Sequence, residues 1–237
     1  MLKTKEEIEE WLFDNEAGAW EKISIDKDLK VHVKGNVDLS NNGLTELPIQ
    51  FGKVTGDFWI TNNDLENLKG CPEEVGGSFY CSKNELKSLK GAPEKVGDGF
   101  DCADNCLTSL ENIPSEIGGN INISFNKLTN LKGCPEVVNG DLYVIGNKLS
   151  SLEDTPKIIK GDGFYYDNPI KSFENLPLSV EGEFKHDGIK EQGIEPNTSL
   201  EELHKRNEII KSKQILESEL NSKDLTKEQV KRPKMKI

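Results

Sequence analysis

Five cysteines and three histidines are the residues of this chain whose chemistry would be easiest to recognise, and their spacing argues against it. Cys71, Cys81, Cys102, Cys106 and Cys134 form no C-x-x-C pair, and no histidine stands near them to complete a zinc set. An odd number of cysteines without paired spacing fits a reducing compartment. His32, His186 and His204 are scattered and give no Ser/His or Cys/His nucleophile pair. No Walker A or Rossmann glycine loop occurs. Catalytic, cofactor and metal residues are therefore expected to be none. The remaining candidates are aromatic and polar side chains: Trp59, Tyr80, Tyr143, Phe164 and Tyr166 with Ile145, and the carboxylates Asp57, Asp101, Asp104, Asp141 and Asp162 with the amide of Asn122. Aromatic anchors in a polar surround recognise a partner rather than transform a substrate.

What positions them is a period of 21 residues. Asn42, Asn63, Asn84, Asn105, Asn126, Asn147 and Asn168 mark it, with Leu or Ile two residues later and Leu or Phe five later. Proline recurs nine residues after the asparagine from Pro72 to Pro177, and Val or Ile twelve after, from Val54 to Val180. Five columns in phase over seven units specify a stacked-repeat solenoid. Before each asparagine the apolar residues alternate. Val37, Phe58, Phe79, Phe100, Ile121, Leu142 and Gly163 stand five before, and Leu39, Ile60, Cys81, Cys102, Ile123, Val144 and Tyr165 three before. Period-2 alternation predicts a strand with both columns facing inward, and stacking the units predicts a parallel sheet. The asparagine amide is expected to bond backbone groups of adjoining turns.

The same register explains the cysteines. Cys81 and Cys102 share a column with Leu, Ile and Val, and Cys71 and Cys134 one with Ala, Ile and Leu, so four of the five read as small core hydrophobes. Gly70, Gly91, Asn112, Gly133, Asp154 and Asn175 occupy a column of types that tolerate positive φ, so the chain is expected to turn there. Outward positions four before the asparagine read Asp38, Trp59, Tyr80, Asp101, Asn122, Tyr143 and Phe164. This places Trp59 beside Tyr80 near one end and Tyr143, Ile145, Phe164 and Tyr166 near the other. Asp101, Ala103, Asn122 and Ser124 form a polar saddle between them, with Asp104 at its rim. At ~150–250 Å² per aromatic side chain, such a face exceeds the few hundred Å² of apolar patch a monomer usually exposes.

The pattern N-x-L-x-x-L after alternating apolar residues resembles the leucine-rich repeat family over about 150 residues, most closely the short repeats of bacterial effectors and related phage-encoded proteins. The resemblance implies an α/β repeat solenoid. It would be a curved leucine-rich repeat with a parallel β-sheet on a concave, ligand-binding face, an irregular convex side and helical caps. Effectors with such repeats can carry a ubiquitin-ligase domain with a C-x-D nucleophile. Cys102-Ala103-Asp104 matches that string, but it lies on a repeat strand with Cys102 facing the core.

The expected organisation is a helix and hairpin cap at 1–34, the solenoid at 35–184, a C-terminal cap and helix at 185–222 and a basic, disordered tail at 223–237. Thr4 and Glu7 form a capping box for a helix within 4–20, which Asn15 to Gly18 are expected to end. Trp20, Ile23 and Ile25 alternate against Leu29, Val31 and Val33 across a turn at 26–28. Ser199 to about Ser222 reads as a second helix. The chain carries a net charge of −12, while residues 199–237 are locally basic. An acidic body opposes phosphate-backbone binding and favours a partner protein with a basic or mixed apolar/basic patch. No apolar run is long enough for a membrane span and the N-terminus lacks a signal-peptide core, so a cytoplasmic location is expected, the host's if phage-encoded. These observations point to a non-catalytic protein-binding module that blocks or sequesters a target. Alternatives are a nucleic-acid mimic occupying a DNA- or RNA-binding protein, or a regulatory subunit that oligomerises through 199–222.

Overall fold

Each repeat places an apolar residue, an outward residue and a second apolar residue in succession, and the first two of these form a short strand. The computed structural model describes residues 1–15 and 22–230, with side chains through Ser218. The strands Val37–Asp38, Phe58–Trp59, Phe79–Tyr80, Phe100–Asp101, Ile121–Asn122, Leu142–Tyr143, Gly163–Phe164 and Phe184–Lys185 form one eight-stranded parallel sheet. Every pairing is offset by one repeat, as in Phe79↔Phe100 and Ile121↔Leu142. The result is a parallel β-solenoid of about seven turns.

Both inward columns are buried along their length. Phe58, Phe79 and Phe100 stack inside with ring centroids 5.7 and 5.8 Å apart. At Gly163 the column loses its side chain, and the Tyr165 ring takes the space, since a Cβ on Gly163 would lie 3.2 Å from it. The Tyr165 hydroxyl is satisfied at 2.6 Å by Thr155 Oγ1.

The asparagines stitch turn to turn. Asn105 Nδ2 donates to Cys81 O of the previous turn and to Cys102 O and Ala103 O of its own, while its Oδ1 accepts the Leu86 N–H. Asn63, Asn84, Asn126, Asn147 and Asn168 repeat this pattern of donation and acceptance. Asn42 has no earlier repeat to bond and is exposed. Each buried amide thus satisfies backbone groups that the short strands leave open, such as Cys81 O, Cys102 O and the Leu86 N–H at Asn105, and an apolar replacement would remove that bonding.

The second side of the repeat is not irregular, which corrects the expected convex side. Gln50–Val54, Glu74–Val75, Lys95–Val96 and Glu116–Ile117 extend a six-stranded sheet, and Val137–Val138, Ile158–Ile159 and Ser179–Val180 form a three-stranded one. Glycine permits this approach. A Cβ on Gly76, Gly97 or Gly118 would lie 2.3, 2.0 or 2.0 Å from a carbonyl oxygen of the previous turn. The next position in the column is Asn139, and there the two sheets part. Its side-chain amide, rather than its backbone, donates to Ile117 O at 2.9 Å. Between the two strand runs, Gly70, Gly91, Asn112, Gly133, Asp154 and Asn175 all have positive φ.

At the N-terminal end, α1 (Lys5–Asp14) carries the Thr4/Glu7 capping box and buries Ile8 and Leu12. It ends at Asp14 with Asn15 as its C-cap, where the stop over 15–18 is expected, and the Trp20 expectation lies outside the described residues. The strands β1 (Lys22–Ile25) and β2 (Lys30–Lys34) pair antiparallel, and β2 then pairs parallel with Gln50–Val54. Val31 and Val33 are buried, but Ile23 is exposed, so the expected alternation holds on one strand of the two.

Residues 185–198 belong to the unit Met1–Thr198. There His186 is buried against Phe173 and Phe184. Its Nδ1 accepts the Gly188 N–H, so Nε2 carries the proton and donates to Thr198 O at 3.0 Å. Burial holds the imidazole below its ordinary pKa. The second unit, Ser199–Ile237, contains α2 (Leu200–Val230), which runs past the expected end at Ser222. The basic segment 231–236 lies outside the described residues. Among the described residues no helix is long and apolar enough to cross a membrane.

Candidate interaction face

In the eight-stranded sheet the outward column runs Asp38, Trp59, Tyr80, Asp101, Asn122, Tyr143, Phe164, Lys185, each in register with the next. Trp59 and Tyr80 stack with centroids 5.6 Å apart and planes within 2°; Tyr143 and Phe164 stack at 4.7 Å within 6°. All four rings are half-buried, each flanked by its stacking neighbour. Aromatic pairing of this kind is ordinary cross-strand stabilisation, but it occurs here as two pairs separated by two polar rungs.

Those rungs are Asp101 and Asn122. Each caps its own strand end, Asp101 Oδ1 accepting the Ala103 N–H at 3.0 Å and Asn122 Oδ1 the Ser124 N–H at 3.1 Å. Burial raises the Asp101 carboxyl above its ordinary value; the Ala103 N–H and the Ser82 hydroxyl oppose that rise, and the Asp104 charge adds to it. Among the described residues no lysine, arginine or histidine forms an ion pair with Asp101. Burial, then the Asp141 acceptor, raises the Tyr143 phenol, which donates to Asp141 Oδ2 at 3.0 Å.

The other expected residues divide into two groups. Ile145 is half-buried beside the Tyr143–Phe164 pair, and Asp104 is exposed in a left-handed turn at φ 53°. Asp57, Asp141 and Asp162 are partly committed to the fold. One oxygen of each accepts the backbone N–H of Ser78, Asp162 or Glu183 in the next turn. Gly77, Gly161 and Gly182 make room for those oxygens, which lie 2.0–2.1 Å from where a Cβ would stand. Tyr166 donates its hydroxyl to Asn197 Oδ1 at 2.9 Å, and the same oxygen accepts the His186 N–H. It is therefore tied to the segment following the last strand.

One residue of this face was not identified from the sequence. The position just before each asparagine is left-handed in all seven repeats: Asn41, Asn62, Lys83, Asp104, Phe125, Gly146 and Asp167. Lys83 and Phe125 are the two that are not Asn, Asp or Gly, and Phe125 is the one aromatic, at φ 54° and 51% exposed. Its ring lies over Gly146, where a Cβ would come within 2.5 Å of it. An exposed phenylalanine held in a conformation that suits Asn, Asp or Gly costs about 1–2 kcal/mol. The signal for it was the one aromatic residue in a column that otherwise holds Asn, Asp, Gly and one Lys.

The cysteines lie in the core or at its edge. Burial raises the thiols of Cys71, Cys81 and Cys102 well above the ordinary range and that of Cys134 to about 12. In the Cys-Ala-Asp string both Cys102 and Ala103 are buried. Cys106 is half-exposed, with Lys127 Nζ 3.3 Å from its sulfur. Among the described residues no group of three or more His, Cys, Asp or Glu side chains could hold a metal ion. Comparisons with protein-family models, curated proteins and solved structures give no match to this chain.

Proposed function

We propose that this protein is a non-catalytic binding module of the leucine-rich repeat type, which recognises a target protein through its asparagine-side face and blocks or sequesters it. The observation that carries the reading is the outward column, where Trp59–Tyr80 and Tyr143–Phe164 flank Asp101 and Asn122 in continuous register. Rigid aromatic anchors around an unpaired carboxylate suit a partner patch that is apolar and basic. The N-x-L-x-x-L pattern supports the family assignment, and α1 together with residues 185–198 would close the two ends of the core as terminal units must. Resemblance to the short repeats of bacterial effectors and phage proteins supports a factor that acts on host machinery in the cytoplasm. The test is affinity capture from the native host with the wild-type chain and with Trp59→Ala/Tyr143→Ala. The reading expects a partner recovered by the first and lost by the folded variant; equal recovery by both would sink it.

A second reading is favoured by α2, on which Ile209, Ile210, Ile215 and Leu216 are all exposed. The chain would then act as a regulatory subunit that oligomerises through 199–222. Dilution-dependent mass, abolished by deleting α2, would support it, and a monomer at all concentrations would exclude it.

A further inference from the structure

The outward column has rings on both sides of Asp101 and Asn122 and none at these two rungs. Tyr80 is in register with Asp101, and Asn122 with Tyr143. Tyr80 and Tyr143 therefore stand three rungs apart, roughly 14 Å at ~4.8 Å per rung. Each is stacked on one side only, Tyr80 on Trp59 and Tyr143 on Phe164, so each has no ring beyond it on the side of the gap. The floor is lowered by small residues, with Ala103 and Ser124 buried beside Asp101 and Asn122. Phe125 stands exposed at the rim.

We infer that this slot receives an arginine side chain of the partner protein, its guanidinium lying on the Tyr80 ring and pairing with the Asp101 carboxylate. The inference rests on the proposed reading of this face as a binding surface and names the group it reads. A guanidinium is planar, stacks on aromatic faces and is weakly hydrated, and it can pair with a carboxylate in the same pose. An ammonium offers the charge without the plane. A neutral ring would cover Asp101 and leave its charge buried and unpaired. An anionic ligand, including a nucleic-acid phosphate, would meet Asp101, Asp104 and Asp141. At the far end of the same column the chain itself sets a paired cation next to an aromatic rung. There Lys185 occupies the rung beyond Phe164 and is paired with Glu183. Elsewhere lysines meet glutamates of other turns, as in Lys87–Glu66 and Lys157–Glu136. Asp101 lacks such a partner among the described residues.

The test uses the full chain and three fluorescein-labelled twelve-residue peptides of alternating glycine with arginine, lysine or citrulline, read by fluorescence anisotropy. Citrulline keeps the plane and removes the charge. The arginine peptide is expected to bind best and the citrulline peptide to lose binding. Asp101→Asn should weaken the arginine peptide about tenfold and erase its advantage over lysine. Asparagine keeps the cap, since Asn122 makes the equivalent bond, and an unchanged unfolding midpoint verifies this. Glu111→Gln, an exposed carboxylate elsewhere, should change nothing. Equal losses in the two variants, or equal binding of arginine and lysine peptides in the wild type, would overturn the inference. If host-partner capture is lost in Trp59→Ala/Tyr143→Ala but kept in Asp101→Asn, the slot assignment fails while the face reading stands. If capture survives both, the face reading fails as well.

Discussion

On the second run of strands the outward residues begin Lys53, Glu74, Lys95, Glu116, and each lysine meets a glutamate of the next turn, Lys53–Glu74 at 2.8 Å and Lys95–Glu116 at 2.7 Å. On the asparagine side the column reads Trp59, Tyr80, Asp101, Asn122, Tyr143, Phe164, and its one half-buried carboxylate meets no cation among the described residues. Both columns repeat every 21 residues on the same scaffold, so backbone geometry does not explain the difference. The first arrangement neutralises its own charges and leaves a partner little to gain. The second leaves stacked aromatic area and an unpaired acid, which a partner can cover and pair. From Val137 onward the second column becomes apolar as well, at Val137 and Ile158. That change coincides with the break between its two sheets.

The largest effect should come from removing what both columns share, the register of the turns. Asn105→Ala would leave the Leu86 N–H and the carbonyls of Cys81, Cys102 and Ala103 without their amide partner. A loss of about 3 kcal/mol or more is expected in denaturant unfolding. Next comes the contrast between columns. Trp59→Ala/Tyr143→Ala should weaken the captured partner by at least about tenfold. Lys95→Ala/Glu116→Ala should leave both partner affinity and unfolding midpoint unchanged, because exposed ion pairs contribute little. A loss of partner binding in the lysine–glutamate variant would break the comparison.

Phe125→Asn sharpens it. The variant should gain about 1 kcal/mol in stability, by placing in the left-handed turn a residue that accepts it, while weakening partner binding. A gain in stability without a loss of binding would remove Phe125 from the interface. The smallest effect is one of pH. Burial lowers the His186 pKa below its ordinary value of 6.5, so on acidification the unfolded chain takes up this proton before the folded one. The contribution is complete above that ordinary value and is lost as pH falls through it toward the lowered folded value. The denaturation midpoint should decline over that range, and less so in His186→Gln. Identical slopes would contradict the neutral tautomer inferred from its hydrogen bonds.

The sequence carried the first sheet well because its columns join two regularities, the 21-residue period and apolar alternation around Trp59, Tyr80 and Asp101. It assigned Cys81 and Cys102 to the core by the same logic. The second sheet was harder to read. Its strands after Val54 are two residues long and leave no alternation, and the close approach depends on Gly76, Gly97 and Gly118, whose signature is a missing side chain. Asp57, Asp141 and Asp162 looked like binding carboxylates because residue type does not reveal that one oxygen already serves the next turn. Phe125 was missed because its column, from Asn41 to Asp167, reads as turn-forming, and a conformational outlier becomes visible only with backbone angles. The bond that ties Tyr166 to Asn197 is not legible in the sequence because Asn197 lies beyond the repeats.

Hydroxyl-radical footprinting of the chain alone and in complex with its captured partner tests the central claim most directly, since it reports solvent access to individual aromatic side chains. Oxidation of Trp59, Tyr80, Phe125 and Tyr143 should fall in the complex, while that of Phe13 on α1 and Leu178 beside the second run of strands, both exposed, should not change. Protection of Phe13 or Leu178, with Trp59 and Tyr143 oxidised as in the free chain, would place the partner elsewhere and contradict the account.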